Sequence, residues 1–392
     1  MKKILAFLLA ATMLLSLAAC TQKAETPADT TAAETAQPTD AAQNSDAPDT
    51  NTEETEAEST PAAEDVSGNL VVYSTMGDAE YELFVGSFLE KYPNVTVDCV
   101  NGGAGELKTR IAEEAGNPQG DVMLGGLVYV DALTKGDLFE EYVSPNDANM
   151  PESVKNTTGK VSWITTQVVN LIINKEKLAE FGVEVTGYED LLQPELKGQI
   201  IAADPTSTSS GWNNLAAMLT VMGNGDASSE AGWDYVTKLI ANLDGKISSS
   251  SSKVYKSVYE GEYPVGITYE GPCVTYKDDG VGDGIDIVYM KEGTTVTPFG
   301  AAIIKDAKNM ELAKIFIDWI TSDECQGMLA ASVQRGANMN IPTTNPNLLD
   351  ASEIKFVDSD QEYLSTHQAE IQEKWTELWT AAYGSNTVDI AG

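Results

Sequence analysis

"VSWITTQVVNLIINK", Val161 to Lys175, is fifteen residues of mostly β-branched side chains, with no glycine, no proline and no helical spacing among its apolar positions. Such a composition fits extended backbone. A usual strand is about five or six residues long, so a run of this length predicts a strand that leaves one lobe and continues into a second. The sequence on either side of it divides accordingly.

On the N-terminal side, "NLVVYS" predicts a strand. "DAEYELFVGSFLEKY" then places Tyr81, Phe84, Val85, Phe88 and Leu89 on one helical face. "VTVDCV" predicts a second strand, "AGELKTRIAEEAG" a helix carrying Leu107, Ile111 and Ala115, and "DVMLGG" a third strand. Strands alternating with helices imply a parallel sheet with right-handed crossovers. Beyond Lys175, "GQIIAAD", "PVGITYEG" and "IDIVYM" predict strands, and Trp212, Leu215, Ala216, Leu219 and Met222 form a helix face. A second long extended stretch, "TVTPFGAAIIKD" (Thr295 to Asp306), carries the chain back. The helices "MELAKIFIDWIT" and "DECQGMLAASV" are expected on the first sheet. From Asn340 to Thr387 the chain is expected to be mostly helical, with Ile371, Trp375, Leu378, Trp379 and Ala382 at helical spacing. The expected fold is therefore α/β and two-lobed, each lobe a mainly parallel sheet flanked by helices, the lobes joined by extended crossover strands. Lobe 1 takes residues 69–164 and 295–339. Lobe 2 takes 165–294 and 340–392, including the C-terminal helices. No internal repeat is visible.

The N-terminus predicts export. Residues 1–20 carry Lys2 and Lys3, then an apolar stretch from Ile4 to Leu17, then Leu17-Ala18-Ala19-Cys20. The apolar stretch is short for a lasting membrane span. Its end resembles the lipobox of bacterial lipoproteins, which implies lipidation of Cys20 and anchoring at the cell membrane; the alternative is a cleaved secretory signal. Residues 21–68 hold twelve acids, Lys23 and no aromatic, a composition expected to stay disordered. As a tether of 48 residues it would span roughly 35 to 40 Å.

With that leader and tether set aside, the remaining residues carry about −27 of the whole chain's −36. The sign argues against nucleic acid and against adhesion to anionic lipid. Cys99, Cys273 and Cys325 permit at most one disulfide, and His367 is the only histidine, so neither a structural metal site nor a cofactor is expected. No G-x-S-x-G, P-loop or H-E-x-x-H occurs, and catalysis is not expected.

Ligands of open α/β sheets sit beyond the carboxyl ends of strands. That rule collects Ser74, Thr75 and Met76 after the first strand, Gly102 and Gly103 after the second, Gly125 and Gly126 after the third, and Tyr269 and Glu270 at the end of "PVGITYEG". It also collects "ADPTSTSSGW", Ala203 to Trp212, where Thr206, Ser207, Thr208, Ser209 and Ser210 make an unbroken hydroxyl row followed by Gly211. The first amides of a helix have no intrahelical partner and carry the positive end of its dipole. Phosphate, phosphonate or carboxylate oxygens are thus candidates for this row, with Gly211 keeping the backbone accessible; a simple N-cap needs only one hydroxyl. Ser250, in the run Ser248 to Ser252, is open to the same two accounts, and Lys253 either lends charge or lies in solvent. Glu270 either accepts from the solute or pairs locally, and Arg335 is either a clamp or part of a surface ion pair.

Taken together, "NLVVYSTMGDAE", "DVMLGG", "ADPTSTSSGW" and "EGEYPVGITYEG" resemble the extracellular solute-binding proteins of bacterial ABC importers, in the type II branch that contains ferric-iron, hexose-phosphate and aminoethylphosphonate binders. The resemblance spans residues 69 to about 345. It implies a periplasmic-binding-protein clamshell, a monomer that closes on a small solute outside the cytoplasm and delivers it to a membrane permease with its ATPase. Iron binders of the branch typically use a histidine in the first strand-to-helix loop and adjacent tyrosines, whereas this chain has Ser74-Thr75-Met76 and Tyr269-Glu270 there. A phosphate- or phosphonate-bearing organic solute is therefore expected. A ferric-iron importer subunit and a lipoprotein sensor are the alternatives, and a lipoprotein enzyme would need a nucleophile, base or metal set that the sequence lacks.

Overall fold

A computed structural model of the chain describes residues 62–390; the leader, Cys20 and most of the tether lie outside the described residues. The first strand-helix alternation is β1 (Ser67–Ser74), α1 (Asp78–Tyr81) continuing through a π turn (Glu82–Gly86) into α2 (Ser87–Lys91), β2 (Asn94–Asn101), α3 (Ala104–Glu113), β3 (Val122–Leu127) and α4 (Tyr129–Thr134). The long strand β4 (Ser162–Asn174) follows, then α5 (Lys175–Phe181), β5 (Ile200–Ala202), α6 (Ser209–Met222) and α7 (Glu230–Leu243). Next come β6 (Lys246–Ile247), α8 (Ser251–Tyr259), β7 (Val265–Tyr269), α9 (Glu270–Asp278) and β8 (Ile285–Val288). The chain returns along β9 (Val296–Ile303), α10 (Met310–Thr321), α11 (Asp323–Ala330) and β10 (Arg335–Gly336), and ends with α12 (Gln361–Thr366), α13 (Gln368–Tyr383) and β11 (Val388–Asp389).

The main sheet runs β2-β1-β3-β9-β4-β7-β5, with β10 and β8 also paired to β4. Parallel pairs make its outer parts, β1 with β2 and β3, and β5 with β7. The antiparallel pairs all involve β4 or β9. One strand thus serves both regions: Ser162 to Val168 pair with β9, and Val169 to Ile173 pair with β7.

The apolar residues sort the same way. Two clusters flank the β1–β3 region and draw only on residues 66–164 and 301–337. Two others flank β5 and β7 and draw on residues 169–290 and 364–379. In α13, Ile371, Trp375 and Trp379 follow a four-residue spacing and are all buried, with the two indoles stacked 5.1 Å apart. Burying each such side chain contributes about 1.5–3 kcal/mol, which fastens a helix distant in sequence onto α7. Leu378 is half-buried, and Ala382 is exposed on the outer face.

Three details differ from the sequence expectations. The fold begins before residue 69, because Val66 is buried and β1 opens at Ser67. The first helix contains a π turn, which still delivers Phe84, Val85 and Phe88 to the core. Residues 340–360 hold only one 3-10 turn, Ala351–Glu353, because Pro342 and Pro346 remove donors that a helix needs.

Candidate ligand-binding site

The hydroxyl row lies between β5 and α6, and most of its members are engaged locally. The Asp204 carboxylate accepts from both the amide and the hydroxyl of Thr206, each at 2.7 Å. Thr208 is the N-cap: its Oγ1 accepts from the Gly211 amide at 3.0 Å and donates to the Asp204 carbonyl at 2.9 Å. Ser210 is buried and its hydroxyl donates to Ser251 at the start of α8, 2.7 Å away. Ser207 and Ser209 are exposed, and their hydroxyls bond to no described residue. The Ser209 and Ser210 amides, in the first turn of α6, likewise lack a backbone acceptor. Three of the five hydroxyls therefore build the turn, and two remain for a ligand.

Gly211 has a different role from the one expected. It is buried, and a Cβ there would meet the Asp204 carbonyl carbon at 2.5 Å and the Ala203 carbonyl oxygen at 2.7 Å. It lets α6 start directly against the end of β5 rather than opening the backbone to a solute.

Thr206, Ser207, Thr208 and Ser209 form one wall of a cavity of about 390 Å³. Val128, Tyr129 and Val130 at the start of α4 line it, as do Thr295, Thr297 and Phe299 around β9. Trp212 and Asn213 of α6 add an aromatic face and an amide. The remaining wall comes from the C-terminal segment, through Ser359, Gln361, Leu364, Ser365, Gln368 and Gln372. Gln372 donates to the Pro205 carbonyl at 2.6 Å and so fastens α13 to the serine-threonine loop. No lining residue is charged. In so acidic a chain this matters: the helix dipole, equivalent to about half a positive charge at the N-terminus of α6, meets no carboxylate across the cavity. The Asp131 carboxylate, buried behind this wall, receives the Val128 amide at 3.2 Å and Lys108 at 2.7 and 2.8 Å, which fixes the loop carrying Tyr129.

The other predicted residues do not line this cavity. Ser74 is buried, and its hydroxyl accepts from the Met76 amide at 3.1 Å. Thr75 and Met76 lean on Gly125 and Gly126, whose φ values of 78° and 70° belong to the left-handed region. A Cβ on Gly126 would meet Thr75 Cγ2 at 2.7 Å, so this glycine serves the packing of the β1 and β3 loops. Gly102 closes the same group, its amide donating to the Ser74 carbonyl at 3.2 Å, while Gly103 caps α3. The serine run is tied to the C-terminus: Ser248 donates to the Ile390 carbonyl and Ser249 to Asp389, each at 2.8 Å. Ser250 sits 3.2 Å from Ser252, and Lys253 pairs with Glu262 at 3.0 Å.

Glu270 and Arg335 find each other. Both are buried; Arg335 Nε donates to Glu270 Oε1 at 2.8 Å and Nη2 to Oε2 at 3.1 Å, while Tyr289 donates to the same carboxylate at 2.7 Å. Arg335 also donates to the Leu349 carbonyl at 2.7 Å. This is a buried ion pair between α9 and β10, neither a surface pair nor a clamp in the cavity, and it leaves the Glu270 carboxylate fully engaged. Half-buried Tyr269 stacks edge-on against Tyr255, and burial pushes its hydroxyl up to about 12, which keeps it a neutral donor. Cys273 is likewise pushed up to about 12 by burial; Cys99, Cys273 and Cys325 are all free thiols. Among the described residues no group of three or more His, Cys, Asp or Glu side chains could hold a metal ion.

Reading the sequence alone missed the C-terminal wall, Tyr129 and Phe299. The local signal for that wall was the pair Gln368 and Gln372, which stand at helical spacing beside Ile371, Trp375 and Trp379 and so flank the buried stripe of α13 instead of its exposed face; nothing local marks Tyr129 or Phe299.

Residues 121–367 match the sequence profile of a family described as bacterial extracellular solute-binding protein. An uncharacterized protein of Haemophilus influenzae is 28% identical over 324 residues, covering 79% of this chain and 90% of its own length. The solved periplasmic binding protein AfuA of Actinobacillus pleuropneumoniae, with fructose-6-phosphate bound, superposes with a TM-score of 0.63 at 26% identity, over 80% of this chain and 99% of that one. A putative 2-aminoethylphosphonate-binding periplasmic protein of Salmonella typhimurium is 26% identical over 172 residues, 44% of this chain and 48% of its own length.

Proposed function

The chain belongs to the bacterial extracellular solute-binding protein family, and from that premise we propose that it captures a small phosphate- or phosphonate-bearing organic solute in the cavity at the N-terminus of α6. As a solute-binding component of an ABC importer it is a binding protein rather than an enzyme, and it works with a permease and its ATPase. The observation that carries the choice of solute is the pairing of two free hydroxyls, Ser207 and Ser209, with the unpartnered Ser209 amide on a cavity wall free of charged side chains. Neutral donors and a helix dipole bind an anion without a counter-ion. The volume of about 390 Å³ suits a small solute. The sugar phosphate in AfuA and the phosphonate in the name of the Salmonella protein support the same chemistry.

In this reading, residues 69–164 with 295–339 and residues 165–294 with 340–392 act as two lobes hinged on β4 and β9, and the protein is a monomer held outside the cytoplasm by a lipid on Cys20. Calorimetric titration of the mature protein tests the solute class: glucose 6-phosphate or 2-aminoethylphosphonate binds with a dissociation constant in the micromolar range or below. Silence with every phosphate and phosphonate, together with stabilisation by ferric ion, would replace this reading with an iron carrier. Anchoring is tested separately by Cys20→Ala, which releases the protein from the membrane fraction.

A further inference from the structure

We propose that the C-terminal segment supplies a second subsite, which holds the uncharged, hydroxyl-bearing part of the solute and thereby sets specificity. This rests on the anion-binding role assigned above to Ser207 and Ser209. Gln372 spends its amide on the Pro205 carbonyl. The half-buried Ser365 and Gln368 differ: both line the same cavity, and their side chains bond to no described residue. Across the cavity, the half-buried Tyr129 and Thr297 side chains are equally unengaged.

A half-buried polar group left without a partner inside a cavity gains most from a ligand that satisfies it. An amide offers two donors and an acceptor, and each hydroxyl offers a donor and two acceptors. Trp212 and Phe299 add flat apolar faces beside them. A polyhydroxylated carbon ring or chain matches this set, since its hydroxyls meet the polar groups while its C–H face lies against the aromatics. A bare anion leaves the whole wall unsatisfied. Ser365 lies within residues 121–367, the part that matches the family profile, and Gln368 one residue beyond it.

The test compares the wild type with a Ser365→Ala, Gln368→Leu double variant, titrated with glucose 6-phosphate, inorganic phosphate and glucose. Wild type is expected to prefer glucose 6-phosphate to inorganic phosphate. The double variant is expected to lose about 5- to 150-fold for the sugar phosphate, the range for two neutral hydrogen bonds, while its affinity for inorganic phosphate stays within twofold. Its melting temperature without ligand should not move, because neither side chain bonds to the protein; if it does, Ser365→Ala alone is used, with a loss of about 2- to 12-fold expected. A preference for the sugar phosphate that survives in the variants overturns the subsite, and so does a wild type that prefers inorganic phosphate or makes no distinction. If glucose binds and neither anion does, the anion reading fails, and the subsite stands only where the variant weakens glucose. Binding of none of the three rejects both.

Discussion

Replacing Ser207 and Ser209 together by alanine separates a ligand contact from a structural turn, because the structure has already divided the hydroxyl row into engaged and free members. A hydrogen bond to a charged group contributes about 1.5–3 kcal/mol, and one between neutral groups about 0.5–1.5 kcal/mol. With some replacement by water at exposed positions, the pair should contribute about 1.4–4 kcal/mol, a loss of roughly ten- to a thousandfold in affinity. The apo protein should melt as the wild type does, since neither hydroxyl bonds to a described residue. Thr208→Ala is the counterpart. It removes the cap on the Gly211 amide and the bond to the Asp204 carbonyl, costing about 1 kcal/mol of stability. Calorimetric titration with the best-bound phosphate or phosphonate, alongside thermal denaturation without ligand, reads both quantities on each variant. Unchanged affinity in the Ser207, Ser209 double variant refutes the anion wall, and a lowered apo melting temperature in the same variant would mean that the two hydroxyls belong to the turn after all.

Three further outcomes follow from the packing and the charges. Gly211→Ala forces backbone apart at the junction of β5 and α6, costs about 1–3 kcal/mol as overpacking does, and lowers both melting temperature and affinity; an unchanged melting temperature would show that the junction yields. Glu270→Met leaves the Arg335 guanidinium buried without its countercharge, Arg335→Met does the same to the Glu270 carboxylate, and each costs about 3–5 kcal/mol, whereas replacing both residues by methionine costs much less, so chemical denaturation of these two single variants and the double should depart strongly from additivity. Burial raises the Asp318 carboxyl above its ordinary value of 3.8, against the lowering effect of hydrogen bonds from Ser144 and Tyr142. The folded state therefore holds this proton more tightly than the unfolded chain, and the group's contribution to stability declines as pH rises from about 3.8 through the raised value. Asp318→Asn should flatten that decline in melting temperature, and an unchanged pH profile would count against it.

Much of the architecture was legible because it rests on local pattern. The length and β-branching of Val161 to Lys175 announced a strand shared by two regions, and the strand-helix alternation before it announced the parallel pairs of β1. The candidate site was legible only in part. That hydroxyls gather before α6 is plain from Thr206 to Ser210, but which ones are free depends on Asp204, Gly211 and Ser251, and the last is 41 residues from its partner Ser210. Ser249 bonds to Asp389 across 140 residues, and Gln372 reaches Pro205 across 167. Spacing within a window carries no trace of such pairs. Glu270 and Arg335 were each visible as charges worth explaining; their mutual burial needed the third dimension.

The way the apolar clusters draw on distant stretches has a consequence for how the chain comes to be folded. Residues 169–290 have no complete cover until 364–379 arrive, and residues 66–164 wait for 301–337. A chain emerging N-terminus first therefore completes the interior around β1 and β3 only after residues 301–337, and the larger interior beside β5 and β7 only after residues 364–379. Contacts of such long sequence separation form slowly. A chain cut short of α13 lacks the cover that Ile371, Trp375 and Trp379 give the interior beside β5 and β7, and it should be degraded instead of accumulating as half a protein.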